Sequence, residues 1–343
     1  MENTKDKVNE LTQKLERGIK DVFTSERWKQ HLSAAAKLHN YSYGNIVLIS
    51  QQRPGATVVA GFNTWKNAFG RMVNKGEKGI AILAPVPYKY DVEREAVDSG
   101  GNKTKETATH AGLRFRVVYV FDVSQTSGKE LPRLVDELHA SVTDYESLLT
   151  TLKSVARFPV EFKDIAGGAN GYCSFAEDKI VVKKDMSEAQ TIKTLLHEMV
   201  HAELHDRKRS PTPETGLNVR NTREVEAESI AYVVGSHFGI DSSEYTFGYI
   251  AGWSKGKDLS ELRESLSTIQ AHSHNMIEKI QRERETTKSR LGEIPLPPET
   301  TSTEAAQEAT QGGAQDGLLW TSTTHCAPPK KRNTRDTKQI VDR

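Results

Sequence analysis

Cysteine is nearly missing from this chain. Only Cys173 and Cys326 occur in 343 residues, far apart, which argues against a disulfide-stapled scaffold and fits a reducing compartment. No apolar run approaches the roughly 18 residues that a membrane-crossing helix needs, so no membrane partner is expected. The first residues, Met1 to Lys7, are polar and charged and lack the apolar core of a secretory signal; the expected location is the cytoplasm. Large apolar residues become scarce after Glu293, where Pro, Thr, Ser, Gln and Gly take over. Such a segment buries too little apolar surface to offset the entropy of ordering it, and residues 291–343 are expected to be a disordered tail. Internal repeats are absent as well.

What the chain does have is an uneven charge. The net charge is +1, yet residues 27–90 hold nine Lys/Arg against one acidic residue, Glu77, so the remainder is net acidic. A basic segment beside an acidic one suits a chain in which one region meets a polyanion.

Helical spacing of Val8, Leu11, Leu15 and Ile19 predicts a first helix; Trp28, Leu32, Ala35 and Leu38 predict a second, and Asn45 to Gln51 a third. Strands are expected at Thr57–Phe62, Gly79–Ala84 and Arg114–Val123. Asp91–His110 reads as a long exposed connection and Ser124–Leu131 as a linker. A helix over Asp144–Arg157, a strand over Pro159–Lys163 and a hairpin over Tyr172–Val182 follow. Then come helices over Ser187–His205, Thr222–Phe238 and Ser260–Arg284, with Asp206–Asn221 as a loop. The expected organisation is an α+β protein: residues 1–125 as helices with a small antiparallel sheet, 126–142 as linker, 143–290 as a zincin-like α+β domain, and 291–343 as tail.

The helix over 187–205 carries His197-Glu198-Met199-Val200-His201. Residues four apart share a helix face, so the two imidazoles can converge on one ion. Ile192, Leu195, Leu196 and Met199 form an apolar stripe, and the two histidines lie mostly opposite it, within about 40° of each other. A hydrolytic zinc site uses three protein ligands and one open position. The next helix offers Glu224 and Glu228, again four apart, with Glu226 pointing elsewhere. Glu224 is the preferred third ligand and Glu228 the carboxylate that orients a ligand imidazole, with the reverse assignment as the competitor. His205 is a weaker candidate. Glu198 is the expected general base, one Zn²⁺ per chain (or another divalent ion) the expected cofactor, and Tyr172 an oxyanion candidate. The implied chemistry is gluzincin-like peptide hydrolysis on an unidentified protein substrate.

The basic segment is interleaved with Trp28, Tyr41, Tyr43, Phe62, Trp65, Phe69, Tyr88 and Tyr90. Cations track phosphates and rings stack on unpaired bases, which favours single-stranded over duplex nucleic acid. Arg71, Lys75 and Lys78 lie in the Gly-punctuated run 70–79, suited to phosphate contact. Trp28 and Phe62 sit on apolar patterns and are expected in the core, whereas Trp65, Tyr41 and Tyr43 are expected to stack.

Several of these segments carry a resemblance. Trp28, Tyr41-Ser-Tyr-Gly-Asn45, Gln51-Gln-Arg-Pro54, Val59-Ala-Gly-Phe-Asn-Thr-Trp65 and the run Gly70–Gly79 resemble the N-terminal domain of ArdC-type antirestriction proteins. That family joins a single-stranded-DNA-binding domain to a zinc metallopeptidase-like domain related to the SprT and ImmA/IrrE groups. The metallopeptidase half is similar at His197, Glu198 and His201 and at Glu224 to Glu228. The resemblance adds Asn45 to the expected DNA-binding residues. It implies a mobile-element protein, carried on plasmids, conjugative elements or phages, that guards incoming single-stranded DNA from restriction. Two rivals stand beside it: a DNA-coating protector with a structural zinc site, and an ImmA-like peptidase that cleaves one regulator.

Overall fold

The computed structural model describes residues 2–97, 103–131, 142–206, 217–240 and 247–290. The expected tail, 291–343, lies outside them.

Three helices open the chain: α1 (Glu2–Val22), α2 (Ser25–Lys37) and α3 (Tyr43–Gln52). Ile19, Trp28, Leu32, Ile46 and Ile49 bury their helical stripes in one another, at about 1.5–3 kcal/mol per large side chain. A short strand, β1 (Val59–Gly61), then turns into helix α4 (Phe62–Asn67), and β2 (Arg71–Val73) follows. The strand expected over 57–62 is therefore cut to three residues, because Phe62 begins a helix.

The main sheet has the order β1-β4-β3, with β3 (Ile80–Val97) and β4 (Lys103–Asp122) antiparallel and in register from Ile80↔Val120 to Val97↔Lys103. The polar stretch 91–110, expected as a loose connection, is thus mostly the outer half of a long hairpin. Paired main chain and β-branched residues such as Val92, Thr107 and Thr109 hold it extended without a core. The other edge of β3 is closed by α3. The Asn45 amide donates to Leu83 O and accepts from Leu83 N, both at 3.0 Å, and Gln52 does the same at Ala81, at 2.8 and 3.0 Å. Two side-chain amides stand in for a missing strand and blunt the edge. Beyond Asp122, whose side chain caps a 3-10 turn at Val123–Gln125, strand β5 (Thr126–Gly128) pairs with β2. The segment expected as a linker thus begins as a strand.

The second half opens with α5 (Val142–Val155), then β6 (Val160–Lys163), β7 (Gly171–Ser174) and β8 (Lys179–Lys183). These form a mixed sheet of order β6-β8-β7, parallel between β6 and β8 and antiparallel between β8 and β7, which leaves β7 on an edge. Helix α6 (Glu188–Leu204) packs on it, capped by Ser187, whose side chain accepts from Gln190 N. Then come α7 (Leu217–His237), a short α8 (Ile250–Ser254) absent from the sequence-based expectation, and the long α9 (Leu259–Arg290).

The two halves share one buried core. Trp28 Nε1 donates to Ser229 Oγ of α7 at 3.2 Å, and its ring lies 6.4 Å from that of Trp253 in α8. Arg263 of α9 pairs with Glu16 of α1 at 2.8 Å. No helix among the described residues is long and apolar enough to cross a membrane.

Candidate functional sites

Helix α6 buries Ile192, Leu195, Leu196, Met199 and Val200 against the sheet and α7. That anchoring turns His197 and His201 toward α7. Their Nε2 atoms face each other at 3.0 Å, and Glu224 Oε2 stands 3.5 Å from the first and 3.7 Å from the second. The three donor atoms lie within 4.8 Å of one another. Ligand atoms on a tetrahedral zinc, with bonds of about 2.0–2.1 Å, stand about 3.3 Å apart, so the donor set fits such an ion with little movement. Among the described residues the cluster offers three protein donors, which leaves a coordination position open.

The far nitrogens of both imidazoles are also held. Glu228 Oε2 lies 3.4 Å from His197 Nδ1, and Lys193 Nζ lies 3.4 Å from Glu228 Oε1. His205 Nδ1 lies 2.8 Å from His201 Nδ1, and Glu226 Oε2 lies 3.3 Å from His205 Nε2. If the Glu226 carboxylate accepts from His205 Nε2–H, His205 Nδ1 accepts from His201 Nδ1–H, and His201 Nε2 keeps its lone pair for a cation.

Charge in this cluster follows from burial and neighbours. Burial would lower His197, but the hydrogen bonds it donates to Glu224 and Glu228, with the charge of Glu198, outweigh it and raise it to about 9. Hydrogen bonds that Glu224 accepts from His197 and His201 hold its carboxyl far below the usual carboxylate range. Burial pushes Glu226 up to about 7 and, aided by the charge of His201, His205 down to about 3. Glu198 is buried, which raises its pKa against the pull of His197 and His201; a hydrogen bond from the Cys173 main chain partly offsets that rise. A buried carboxyl beside a cation site, with its pKa lifted, is poised for proton exchange.

Strand β7 runs tightly along α6. A Cβ at Gly171 would come 2.6 Å from Thr194 Cγ2 and 3.2 Å from Glu198 Cγ, so only glycine lets the strand pass the motif glutamate. Arg157 secures the end of α6, donating to Ala202 O and pairing with Asp206 at 2.6 Å, a cation where the helix dipole favours one.

Tyr172 does not join the cluster. Gly171 faces α6, so strand alternation turns Tyr172 to the opposite face, toward Lys179. Tyr249, before α8, is 44% exposed but partly desolvated, which raises its pKa, and it feels the charges of Glu228 and Glu224, which add to the rise. Sequence spacing carried no signal for it.

The expected DNA-binding residues scatter. Trp65 is fully buried and donates Nε1–H to Phe121 O at 2.9 Å, so its ring has no free face on which a base could stack. The Tyr41 hydroxyl donates to Val59 O at 2.8 Å, Tyr43 is half-buried, and Asn45 is spent on the β3 edge. Arg71 ties β2 to β5 through Thr126, at 2.8 and 2.9 Å. Lys75 and Lys78 are exposed. Phe62, expected in the core, is 47% exposed, and Phe115 and Tyr119 are 48% and 53% exposed. The register puts Leu113, Phe115, Val117 and Tyr119 on one face of β4, opposite the core-facing Val120, and Gly79, at the end of the lysine loop, packs so close that a Cβ there would come 2.9 Å from Tyr119 Cβ and 3.3 Å from Phe121 Cζ. The alternation of apolar residues over 113–121 was the available signal.

In its second half the chain has the build of a metallopeptidase-like domain, with an HExxH helix, a carboxylate-bearing helix across it and a small sheet beneath. Residues 117–274 match the family described as "Putative metallopeptidase family (DUF6782)". Residues 2–121 match the family described as the N-terminal domain of anti-restriction factor ArdC, so the first part of the chain is an ArdC-type N-terminal domain. An uncharacterized Bacillus anthracis protein, pXO2-81, is 29% identical over 327 residues, which are 83% of this chain and 54% of that protein. The chain thus spans about half the length of this curated relative. Two crystal structures of the antirestriction ArdC protein from plasmid R388 are similar. The metal-free one has 17% identity, covers 72% of this chain and 86% of its own, and has a TM-score of 0.41. The Mn(II)-bound one has 15% identity, covers 71% and 85%, and has a TM-score of 0.41.

Proposed function

We propose that this chain is a mobile-element antirestriction protein that binds single-stranded DNA through its N-terminal half and hydrolyses peptide bonds at a divalent-metal centre in its second. The observation that carries the peptidase reading is the convergence of His197 Nε2, His201 Nε2 and Glu224 Oε2 within 4.8 Å. His197, His201 and Glu224 would hold the ion, zinc by donor type, and Glu228 would orient His197. A bound ion supplies Lewis acidity that makes a water nucleophilic near neutral pH. Glu198 takes up a proton on its buried carboxylate and returns it to the leaving amine. Tyr249 keeps its hydroxyl proton and is the better donor to a developing oxyanion than Tyr172. The open edge of β7 suits an extended peptide that adds as a further strand.

Three protein ligands with a buried, pKa-raised glutamate beside them favour catalysis over a structural zinc site, which would be closed by four. For DNA, the exposed rings of Phe62, Phe115 and Tyr119 beside Lys75 and Lys78 support stacking on unpaired bases with phosphates held alongside.

The test is cleavage of a generic unfolded protein, and of the chain itself, with and without single-stranded DNA, comparing wild type with Glu198→Ala. DNA-stimulated cleavage lost in the variant is the expected result. Absence of cleavage in the wild type, with DNA binding intact, would sink the peptidase half and leave a DNA-coating protector.

A further inference from the structure

A second cluster of metal-binding side chains lies away from the HExxH helix, where the N-terminal helices meet α9. His39 follows the C-terminus of α2. His274 and Glu278 are four residues apart on α9, the same spacing that lets His197 and His201 converge. One ligand atom from each of the three lies within 4.8 Å of the others. We infer that His39, His274 and Glu278 form a second divalent-metal site, of the imidazole–carboxylate type that suits zinc and its neighbours, which clamps the N-terminal helices onto α9.

Hydrogen bonding supports this independently of the distances. His39 is 8% exposed, yet neither Nδ1 nor Nε2 has a hydrogen-bond partner, and His274 Nδ1 has none either. Glu278 Oε1, at 3.8 Å from His39 Nε2, is too far to supply one. Buried polar atoms are nearly always paired, and a cation at the centre of the three donors would satisfy His39 and His274 together. The neighbouring His237 shows the contrast: its Nδ1 lies 2.8 Å from Ala36 O and its Nε2 lies 3.2 Å from Gln281 Nε2, so both its nitrogens are used. The His39 ring is 4.7 Å from that of His237 and 5.8 Å from that of His274.

The clamp has company along the same seam. Gln270 Nε2 donates to His39 O at 2.8 Å, which fixes the main chain of His39 against α9. An ion here would join residues 235 positions apart in sequence and brace the junction that also carries Trp28 and Arg263.

The experiment uses the full chain, stripped of metal, reloaded with zinc and freed of excess ion, with zinc counted per chain and the unfolding temperature recorded. Wild type is expected to retain two equivalents. His197→Ala/His201→Ala removes the HExxH centre and is expected to retain one, with an unfolding temperature that still rises on zinc addition. Adding Glu278→Gln, or separately His274→Ala, to that double variant is expected to abolish both the equivalent and the rise. One equivalent in wild type and none in the double variant would overturn the second site. So would one equivalent in the double variant that survives both further substitutions. None of these readouts depends on catalysis, so loss of the peptidase reading would leave this inference standing, and the reverse holds too.

Discussion

His205 Nδ1 stands 2.8 Å from His201 Nδ1, with the Glu226 carboxylate 3.3 Å behind it. The pair sets the tautomer of the second motif histidine. With Glu226 accepting, His201 presents a lone pair at Nε2; with a donor in its place, the relay reverses and Nε2 carries a proton. Glu226→Gln can present its amide N–H to His205 and so reverse it. Zinc affinity at the HExxH centre is expected to fall by about tenfold or more, within the range of about 10–100-fold typical for residues that orient metal ligands. Competition with a chelator of known affinity measures it, and an unchanged constant would remove Glu226 from the site.

The pH dependence of metal uptake has a definite sign. His197 titrates at about 9, above its ordinary 6.5, so at neutral pH the ion-free protein holds a proton where a cation would bind. Uptake must expel it. Apparent zinc affinity should rise about tenfold per pH unit up to about 9 and then level off, with one proton released per ion near pH 7. In the ion-free state the same shift stabilises the fold. That contribution is complete below pH 6.5 and lost as pH rises through about 9. Calorimetry in buffers of different ionisation enthalpy, in a Glu278→Gln background, reads the proton count. No proton release at pH 7 would refute the coupling.

How far the site could be read in the sequence depended on how local each relationship is. His197, Glu198, His201, Glu224 and Glu228 fall on two helices whose period fixes their faces, and their geometry matches the spacing argument. Glu226 lies off the face that Glu224 and Glu228 share, and its partner His205 comes from another helix end, which periodicity cannot reach. Tyr172 illustrates a missed local rule: alternation along β7 alone sends it to the face opposite Gly171. The α+β class and most helices were legible. The outer arm of the β3–β4 hairpin was not, because its polar residues mimic a loop until cross-strand pairing is known. Trp65 and Phe62 exchanged their expected places for a similar reason. A tryptophan whose N–H finds a main-chain carbonyl at 2.9 Å can be fully buried, and a strand that ends at Gly61 lets Phe62 turn outward.

That exchange gives a sharp test of the DNA face. Phe115→Ala and Tyr119→Ala each remove an exposed ring and should weaken single-stranded DNA binding by about 1–3 kcal/mol per stacked base, with little effect on the unfolding temperature. Trp65→Ala should do the opposite, costing about 3–5 kcal/mol of stability through the cavity it leaves. Lys75→Ala and Lys78→Ala should each flatten the salt dependence of binding by about one counterion. Fluorescence anisotropy across a salt series separates these effects. Equal affinity for duplex and single strand, or indifference to both ring deletions, would move the interface elsewhere.

Gly171 offers the last test, because it connects the sheet to the chemistry. A methyl group there meets Thr194 Cγ2 at 2.6 Å and Val181 O at 3.0 Å, and crowds Glu198 Cγ at 3.2 Å. The first two contacts involve a packed helix and a strand carbonyl, neither of which gives way easily, so Gly171→Ala should cost about 1–3 kcal/mol in stability through overpacking. The third contact makes the effect more than structural. Pushing β7 away from α6 lengthens the hydrogen bond from the Cys173 main chain to Glu198, and the glutamate loses the donor that steadies its charged form. Its pKa should climb further, and the acid limb of any peptidase pH profile should move to higher pH while zinc content stays at the wild-type level. Zinc counting together with the pH profile distinguishes this from simple misfolding. A variant that keeps its metal and shows an unmoved acid limb would mean that β7 does not tune Glu198, and that the glycine serves packing alone.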